Sequence, residues 1–278
     1  MSEVSSSTST LVALRSLTSA NQDIARSSER LATGQRINRA SDDPAGIGKA
    51  NILKAELGSY SQVKRNIGDA IGQMERVSGG LDSISSYLVE MRNIAMAASA
   101  LSSSTTDTEL LAAYQESFDQ LGDSIDEVTD NLKISDSLVL DGSFSEDIQT
   151  GINAGDTKTL TFGDVTSATL GVDRGTITLS AGQTSMFATI DSALSTVAVE
   201  LAKAGGYQNT LEAAYELADS TILSKTSEYK NIMDADLALE ATNLAAAKIR
   251  QDASTAVLAQ ANSMNRNIAD YLLNGALG

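Results

Sequence analysis

The side chains that most often do chemistry in proteins are missing from this chain. Its 278 residues include no His, no Cys and no Trp, and a single proline, Pro44. That removes the usual general bases near neutral pH, thiol nucleophiles, and the ligands of zinc, copper and haem. What remains is mostly carboxylate: 36 Asp and Glu stand against 20 Lys and Arg, for a net charge of −16. Carboxylates can hold calcium or magnesium, but no Asp/Asn loop here has calcium-ligand spacing. The residues therefore point away from catalysis, and the expectation is a protein that is not an enzyme, with no catalytic residues, metal or cofactor.

Composition narrows the class further. Aromatic residues make up 4% of the chain, too few for a compact enzyme core of this size, whereas long helices can build their seams from Leu, Ile, Val and Ala. Residues 1–40 hold five Arg against three acids, and 241–278 hold three bases against two. The whole negative balance thus lies between them, and nucleic-acid binding is not expected of so acidic a middle. The absence of Cys leaves the redox compartment open. The first ten residues, MSEVSSSTST, have no basic segment and no apolar run, so no cleaved secretory leader is expected there. No run of 18 wholly apolar residues occurs, so no membrane insertion is expected.

The elements that would position any site are helices. A seam stepping three and four residues runs from Phe187 through Ile190, Leu194, Val197, Leu201, Ala204, Gln208, Leu211, Tyr215, Ala218, Ile222, Lys225 and Tyr229 to Ile232. At 1.5 Å per residue it predicts a helix roughly 70 Å long, built to lie against others. A first helix is expected over about 8–33, with Leu14, Leu17, Asn21, Ile24, Ser28 and Leu31 in heptad positions and Gly34 as its stop. A polar link with Arg36 and Arg39 follows, then Asp43-Pro44 as N-cap and first helical residue of a second helix over about 44–99. Its seam is Ala50, Leu53, Leu57, Tyr60, Lys64, Ile67, Ile71 and Met74, then Val77, Leu81, Ile84, Leu88, Met91 and Ala95. A step is skipped between Met74 and Val77, a stammer just before Gly79-Gly80. Ser102–Thr106 reads as a turn. The third helix, about 107–133, carries Leu111, Tyr114, Phe118, Leu121, Ile125, Val128 and Leu132. From 138 to 184 regularly placed glycines and period-two stretches, Thr157–Phe162 and Thr176–Leu179, read as short strands and hairpins. A last helix, about 236–273, has Val257, Ala261, Met264, Ile268 and Tyr271 at heptad spacing.

The fold class that follows is mainly α: a long antiparallel helical rod, a coiled-coil-like bundle, with a small β-hairpin region at mid-sequence and the N- and C-terminal helices paired. Two ends matched in length, two inner helical stretches matched in length, and strands only in the middle describe a chain folded back at its midpoint.

Three segments then resemble bacterial flagellin. Leu31–Ala50, LATGQRINRASDDPAGIGKA, looks like the flagellin link between terminal and rod helices. Leu138–Phe144, LVLDGSF, looks like its lead into the β-hairpin region. Met233–Leu273, MDADLALEATNLAAAKIRQDASTAVLAQANSMNRNIADYLL, is similar to its C-terminal signature. The three stand in order at the right ends, and with the heptads between them the resemblance covers nearly the whole chain. It implies a subunit of the extracellular flagellar filament, exported through the flagellar type III system and polymerised for swimming motility. Its expected parts are an inner-domain helix and link, 1–43, rod helices, 44–137, a β-hairpin region, 138–184, a rod helix, 185–235, and an inner-domain C-terminal helix, 236–278. About 45 residues separate the third helix from the fourth, which implies the short type without an outer insertion.

The resemblance also implies partners: other copies of the chain in a helical homopolymer, an export chaperone, a filament cap and hook-junction proteins. The hook–filament junction protein is the nearest alternative, but its C-terminal segment usually departs from the run kept here as Ala241–Ile249 and Val257–Asn262. Some flagellins house a metalloprotease in the outer insertion, which needs two His and is ruled out by their absence. A free coiled-coil adhesin would explain the heptads but not the three segments. Candidate assembly residues are Leu14, Leu17, Ile24, Leu31, Arg36, Arg39, Val257, Met264, Ile268 and Tyr271. Arg36 and Arg39 read equally as solvated loop charges, and the seams as intramolecular packing before intersubunit contact. Gly205 and Gly206 cost about 1 kcal/mol each against Ala and mark either a loose spot or a close approach. Ser102–Thr106 and the Ser/Thr-rich 157–185 could carry O-glycans or simply aid solubility. In many flagellins the helix equivalent to Glu90–Ile94 belongs to the patch bound by Toll-like receptor 5. The expected pattern is Gln-Arg-Val-Arg-Glu-Leu; aligned on Arg92 it matches at Arg92, Ile94 and the carboxylate Glu116, but Glu90 stands where an arginine is expected. Weak or absent receptor recognition is the expectation.

Overall fold

The computed structural model describes residues 2–101, 105–173 and 183–275. Ten elements follow in order: α1 (Ser2–Thr33), α2 (Pro44–Ser99), α3 (Thr105–Asn131), β1 (Lys133–Ile134), β2 (Ser137–Leu138), β3 (Ser145–Gln149), β4 (Thr157–Thr161), α4 (Ser167–Leu170), α5 (Gln183–Met233) and α6 (Leu237–Gly275). The protein is thus mainly helical, with β structure only at mid-sequence. It divides into two compact units, residues 1–55 with 224–278, and residues 56–223.

In the unit 56–223, α2 and α5 run antiparallel. Lys64 pairs with Asp219, and the Arg92 Nε donates to Asp191 at 2.9 Å. The buried stripe of α2 reads Val63, Ile67, Ala70, Met74, Val77, Leu81, Ile84, Leu88, Met91, Ala95 and Ala98. It steps three and four without a break through Gly79-Gly80, so the stammer expected there is absent. The reason is that Ala70, not Ile71, faces the core, and a small buried residue carries no signal when the seam is drawn through the largest apolar side chains. Opposite it stand Phe118 and Ile125 of α3 and Ile190, Ala193, Val197, Ala204 and Leu211 of α5. The α5 seam keeps Ile190, Val197, Ala204, Leu211 and Ala218 as expected, but Ala193 and Glu200 are buried where Leu194 and Leu201 were expected. Those two leucines, with Phe187 and Tyr215, are half-buried on its flanks. By length and composition alone, part of α5 could cross a membrane, with 28% of that window buried. Its inward face is committed to this core, and Asp191 and Glu200 inside it both hold partners.

α3 stops at Asn131, two residues short of the expected end, because Lys133–Leu138 folds into a hairpin with a two-residue loop. Ser135 and Asp136 both have positive φ, 49° and 66°, which is what a tight primed turn demands. β3 and β4 form the second hairpin, in register Ser145↔Thr161 through Gln149↔Thr157. One face, with Ile148 and Leu160, enters the core. α5 holds this hairpin from outside: the buried Glu200 carboxylate accepts the Gly163 N–H at 3.0 Å, and the Tyr207 hydroxyl meets the Thr161 N–H and C=O at 3.3 Å. The Tyr207 ring stands edge-on to Phe162, with centroids 5.6 Å apart. The strand expected at Thr176–Leu179 lies outside the described residues, as do 102–104 of the expected turn.

The core is where stability resides. Phe118→Ala should cost about 3–5 kcal/mol in denaturant unfolding followed by circular dichroism, whereas the exposed Leu217→Ala should stay within about 0.5 kcal/mol.

Candidate functional site

The unit of 1–55 and 224–278 brings the two ends of the sequence together. Gly34 ends α1 in the left-handed conformation, φ 70°, and its N–H reaches the Arg30 carbonyl at 2.8 Å. From there the chain pairs with the segment after α5: the Ala235 N–H donates to the Gly34 carbonyl at 2.9 Å, and the Arg36 N–H to the Met233 carbonyl at 2.6 Å. The Arg36 guanidinium also donates to the Ile232 carbonyl, at 2.8 Å from Nη2. A cation there satisfies an end carbonyl of α5 and complements the helix dipole. Beneath the pairing, Ile37, Ala50 and Met233 form a small buried cluster with Ile47, Tyr229 and Ile232. Arg39 is different: it pairs with Glu29 at 3.1 Å on an open surface, where an ion pair contributes little.

Two caps restart the helices on either side. Asp43 accepts the Gly46 N–H at 2.8 Å, and Asp236 accepts the Ala238 N–H at 2.9 Å. A Cβ at Gly46 would meet the Ile37 Cδ1 at 2.8 Å as well as the Asp43 carboxylate, so a larger residue would displace the capping side chain or the buried isoleucine.

α1 and α6 then pack antiparallel, as the pairs Ser27–Glu240, Asp23–Arg250 and Asn21–Gln251 show. Apart from Glu240, their buried residues are small: Ala13, Ala20 and Ser27 on α1, and Ala247, Ser254 and Ala261 on α6, each series spaced by seven. Leu17, Ile24 and Leu31 are half-buried beside them. The seam expected through Leu14, Asn21 and Ser28 is therefore displaced by one residue, and all three are exposed. On α6 the expected row splits: Ala261 is in the seam, whereas Val257 and Met264 lie outside it. Alanine and serine let two helices approach closely, so the large residues are left on the flanks, where heptad spacing alone cannot place them. The Ile268 and Tyr271 side chains lie outside the described residues.

Leu14, Val257 and Met264 are 52%, 53% and 51% exposed. An apolar groove of about 730 Å³ opens on the Val257 side of the pair, lined by Thr8, Val12, Ala13, Ser16, Ala253, Ser254 and Val257. Nearer the link the same flank is polar. The buried Glu240 carboxylate accepts Arg30 Nη1 at 2.8 Å and Ser27 Oγ at 3.0 Å, and Arg250 reaches Asp23 at 3.0 Å. Sequence reading missed Glu240, although a lone carboxylate at a heptad position of an Ala-rich helix was the signal. Among the described residues no group of His, Cys, Asp or Glu could hold a metal ion.

The receptor-patch equivalents sit on the other unit. Glu90 and Glu116 are exposed, and Ile94 is half-buried against the core. Arg92, already paired with Asp191, lies 6.0 Å from the Phe187 ring centre.

Burial pushes the Glu240 pKa up, but hydrogen bonds from Arg30 and Ser27, with the Arg30 charge, outweigh it and leave the carboxyl below its ordinary value. A depressed carboxylate pKa contributes stability above the unfolded value that is lost as pH falls through the folded one. Arg30→Ala should cost about 1–3 kcal/mol by stranding a buried acceptor. Glu240→Gln should flatten the acid side of the helical circular-dichroism titration; an unchanged acid profile would contradict the assignment.

Residues 4–145 match the family model of the bacterial flagellin N-terminal helical region, and residues 187–272 that of the bacterial flagellin C-terminal helical region. A flagellin of Halalkalibacterium halodurans is 30% identical over 248 residues, covering 88% of this chain and 90% of its own. A flagellin of Bacillus subtilis is 25% identical, covering 93% and 96%. The fold is similar to that of a solved structure assigned as a flagellar hook-associated protein from Vibrio parahaemolyticus, with TM-score 0.58 and 17% identity, covering 69% of this chain and all of that one. That likeness shows fold alone, whereas the two family matches and the full-length relatives share one assignment: the chain belongs to the bacterial flagellin family.

Proposed function

We propose that this flagellin polymerises by burying the open flank of the α1–α6 pair against other copies of itself. As a flagellin it is a structural subunit of the extracellular flagellar filament. The observation that carries the assembly reading is the apolar groove beside Val12 and Val257, whose lining the chain leaves uncovered. Isolated helices with seams of Ala and Ser bury little apolar surface, so association with other copies supplies burial that one chain does not. Leu14, Val257 and Met264 project from the flanks, Leu17, Ile24 and Leu31 hold the pair together, Arg36 braces the link, and Arg39 stands exposed beside it.

The remaining assignments follow from family membership and from these residues. The inner domain is 1–43 with 236–278, and the outer one 44–235, its β segment 138–184 a structural cap. The chain is exported by the flagellar type III system for swimming motility, with an export chaperone, a filament cap and hook-junction proteins as partners. It has no enzymatic role, binds no nucleic acid and inserts in no membrane.

Toll-like receptor 5 should respond weakly. Glu90 places a carboxylate where the receptor meets a cation in other flagellins, and charge reversal at an interface centre typically costs several kcal/mol. Arg92 is moreover held by Asp191.

Purified protein seeded with filament fragments should sediment as filaments visible by electron microscopy. Val12→Asp with Val257→Asp, or deletion of 1–40 or 241–278, should leave soluble protein; filaments from any of these would defeat the assembly reading. In a receptor reporter assay the wild type should signal weakly and Glu90→Arg more strongly, and strong wild-type signalling would refute that part.

A further inference from the structure

Among the described methionines, Met74, Met91 and Met233 are buried and Met186 is half-buried, while Met96 and Met264 are each 51% exposed. Met264 has a particular place. It stands seven residues beyond Val257, itself seven beyond Arg250, so the three share one row along α6, flanking the seam with α1. The row changes character along its length. Arg250 is closed off by Asp23 at 3.0 Å, Val257 lines the apolar groove, and the next step is the Met264 thioether. Where the ion pairs end, the flank becomes open and apolar.

We propose that Met264 is a peroxide-sensitive modification site that decides whether a free subunit can assemble. The proposal rests on the reading that a second copy covers this flank. The sulfur lone pair attacks one oxygen of hydrogen peroxide, the O–O bond breaks, an S–O bond forms, and the other oxygen leaves as water. Sulfur loses two electrons and the peroxide gains them. The product is a polar, chiral side chain bearing a strong acceptor. An arriving apolar surface offers that oxygen no donor, and burying an acceptor unbonded is unfavourable. Thioether, by contrast, is soft and adapts to irregular apolar surfaces. The relation is reciprocal: a neighbour seated on the row shields Met264.

The test treats full-length soluble protein with hydrogen peroxide, maps added oxygen by peptide mass spectrometry, and follows seeded polymerisation by sedimentation. Wild type and Met96→Leu should polymerise several-fold more slowly after treatment, and Met264→Leu at its untreated rate. Met264 in preformed filaments should gain oxygen more slowly than in free subunits. If Met264→Leu does not assemble even untreated, methionine sulfoxide reductase on treated wild type replaces it: recovery of rate supports the site, and no recovery overturns it. Treated wild type carrying Met264 sulfoxide and polymerising normally sinks this proposal alone. Equal slowing of Met264→Leu, or equal oxidation of Met264 in filaments and free subunits, does the same. Untreated protein that forms no filaments sinks the assembly reading and this proposal with it.

Discussion

Four backbone groups tie the ends of the chain together, and the terminal helices depend on that tie. Gly34 and Arg36 exchange hydrogen bonds with Ala235 and Met233 across about 200 residues of sequence. Closing so long a loop carries an entropic cost that the four groups cannot offset alone. The buried cluster of Ile37, Ala50 and Met233 beneath them supplies apolar burial, and Arg36 satisfies the Ile232 carbonyl. Once the tie is made, α1 and α6 leave it side by side, each restarted or stopped at that point by Gly34 or by the Asp236 cap. Their pairing is then a local event, continued outward from a closed end.

That arrangement explains why so weak a seam holds. Ala13, Ala20, Ser27, Ala247, Ser254 and Ala261 bury little area each, and their virtue is closeness of approach. Polar residues do the specifying. Glu240 between Arg30 and Ser27, and Asp23 with Arg250, are satisfied only in one register, and buried polar groups that lose their partners are costly. The large apolar residues, freed from the seam, face outward on the flank.

The unit of 56–223 follows the opposite rule. Its seams carry Leu, Ile, Val, Met and Phe as well as Ala, buried along α2, α3 and α5, and the mid-sequence β region completes the core through Ile148, Leu160 and Phe162. Buried Glu200 and edge-on Tyr207 position the second hairpin on α5 through its backbone. Here the chain buries its own large side chains and needs no second copy to do so. Most of the acids sit on this unit, α3 having several and no base, which keeps its outer surface solvated.

Sequence alone determined the helices and their stops. Three-and-four spacing over six heptads has no other reading for α5, and Gly34 and Asp43-Pro44 follow from backbone chemistry that is local. Missing His and Cys excluded whole classes of site before any fold was known. The tertiary structure decided which face of α1 and α6 is inside. Leu14 and Ala13 are adjacent, and only the close approach of the partner helix makes the smaller one the buried one. It likewise decided that Ala70 carries the stripe of α2 and that Glu240 is a satisfied anchor. It also made Arg36 a helix cap and no loose loop charge. Spacing is a property of one helix; the burial of a small residue, or the pairing of a charge, is a property of two.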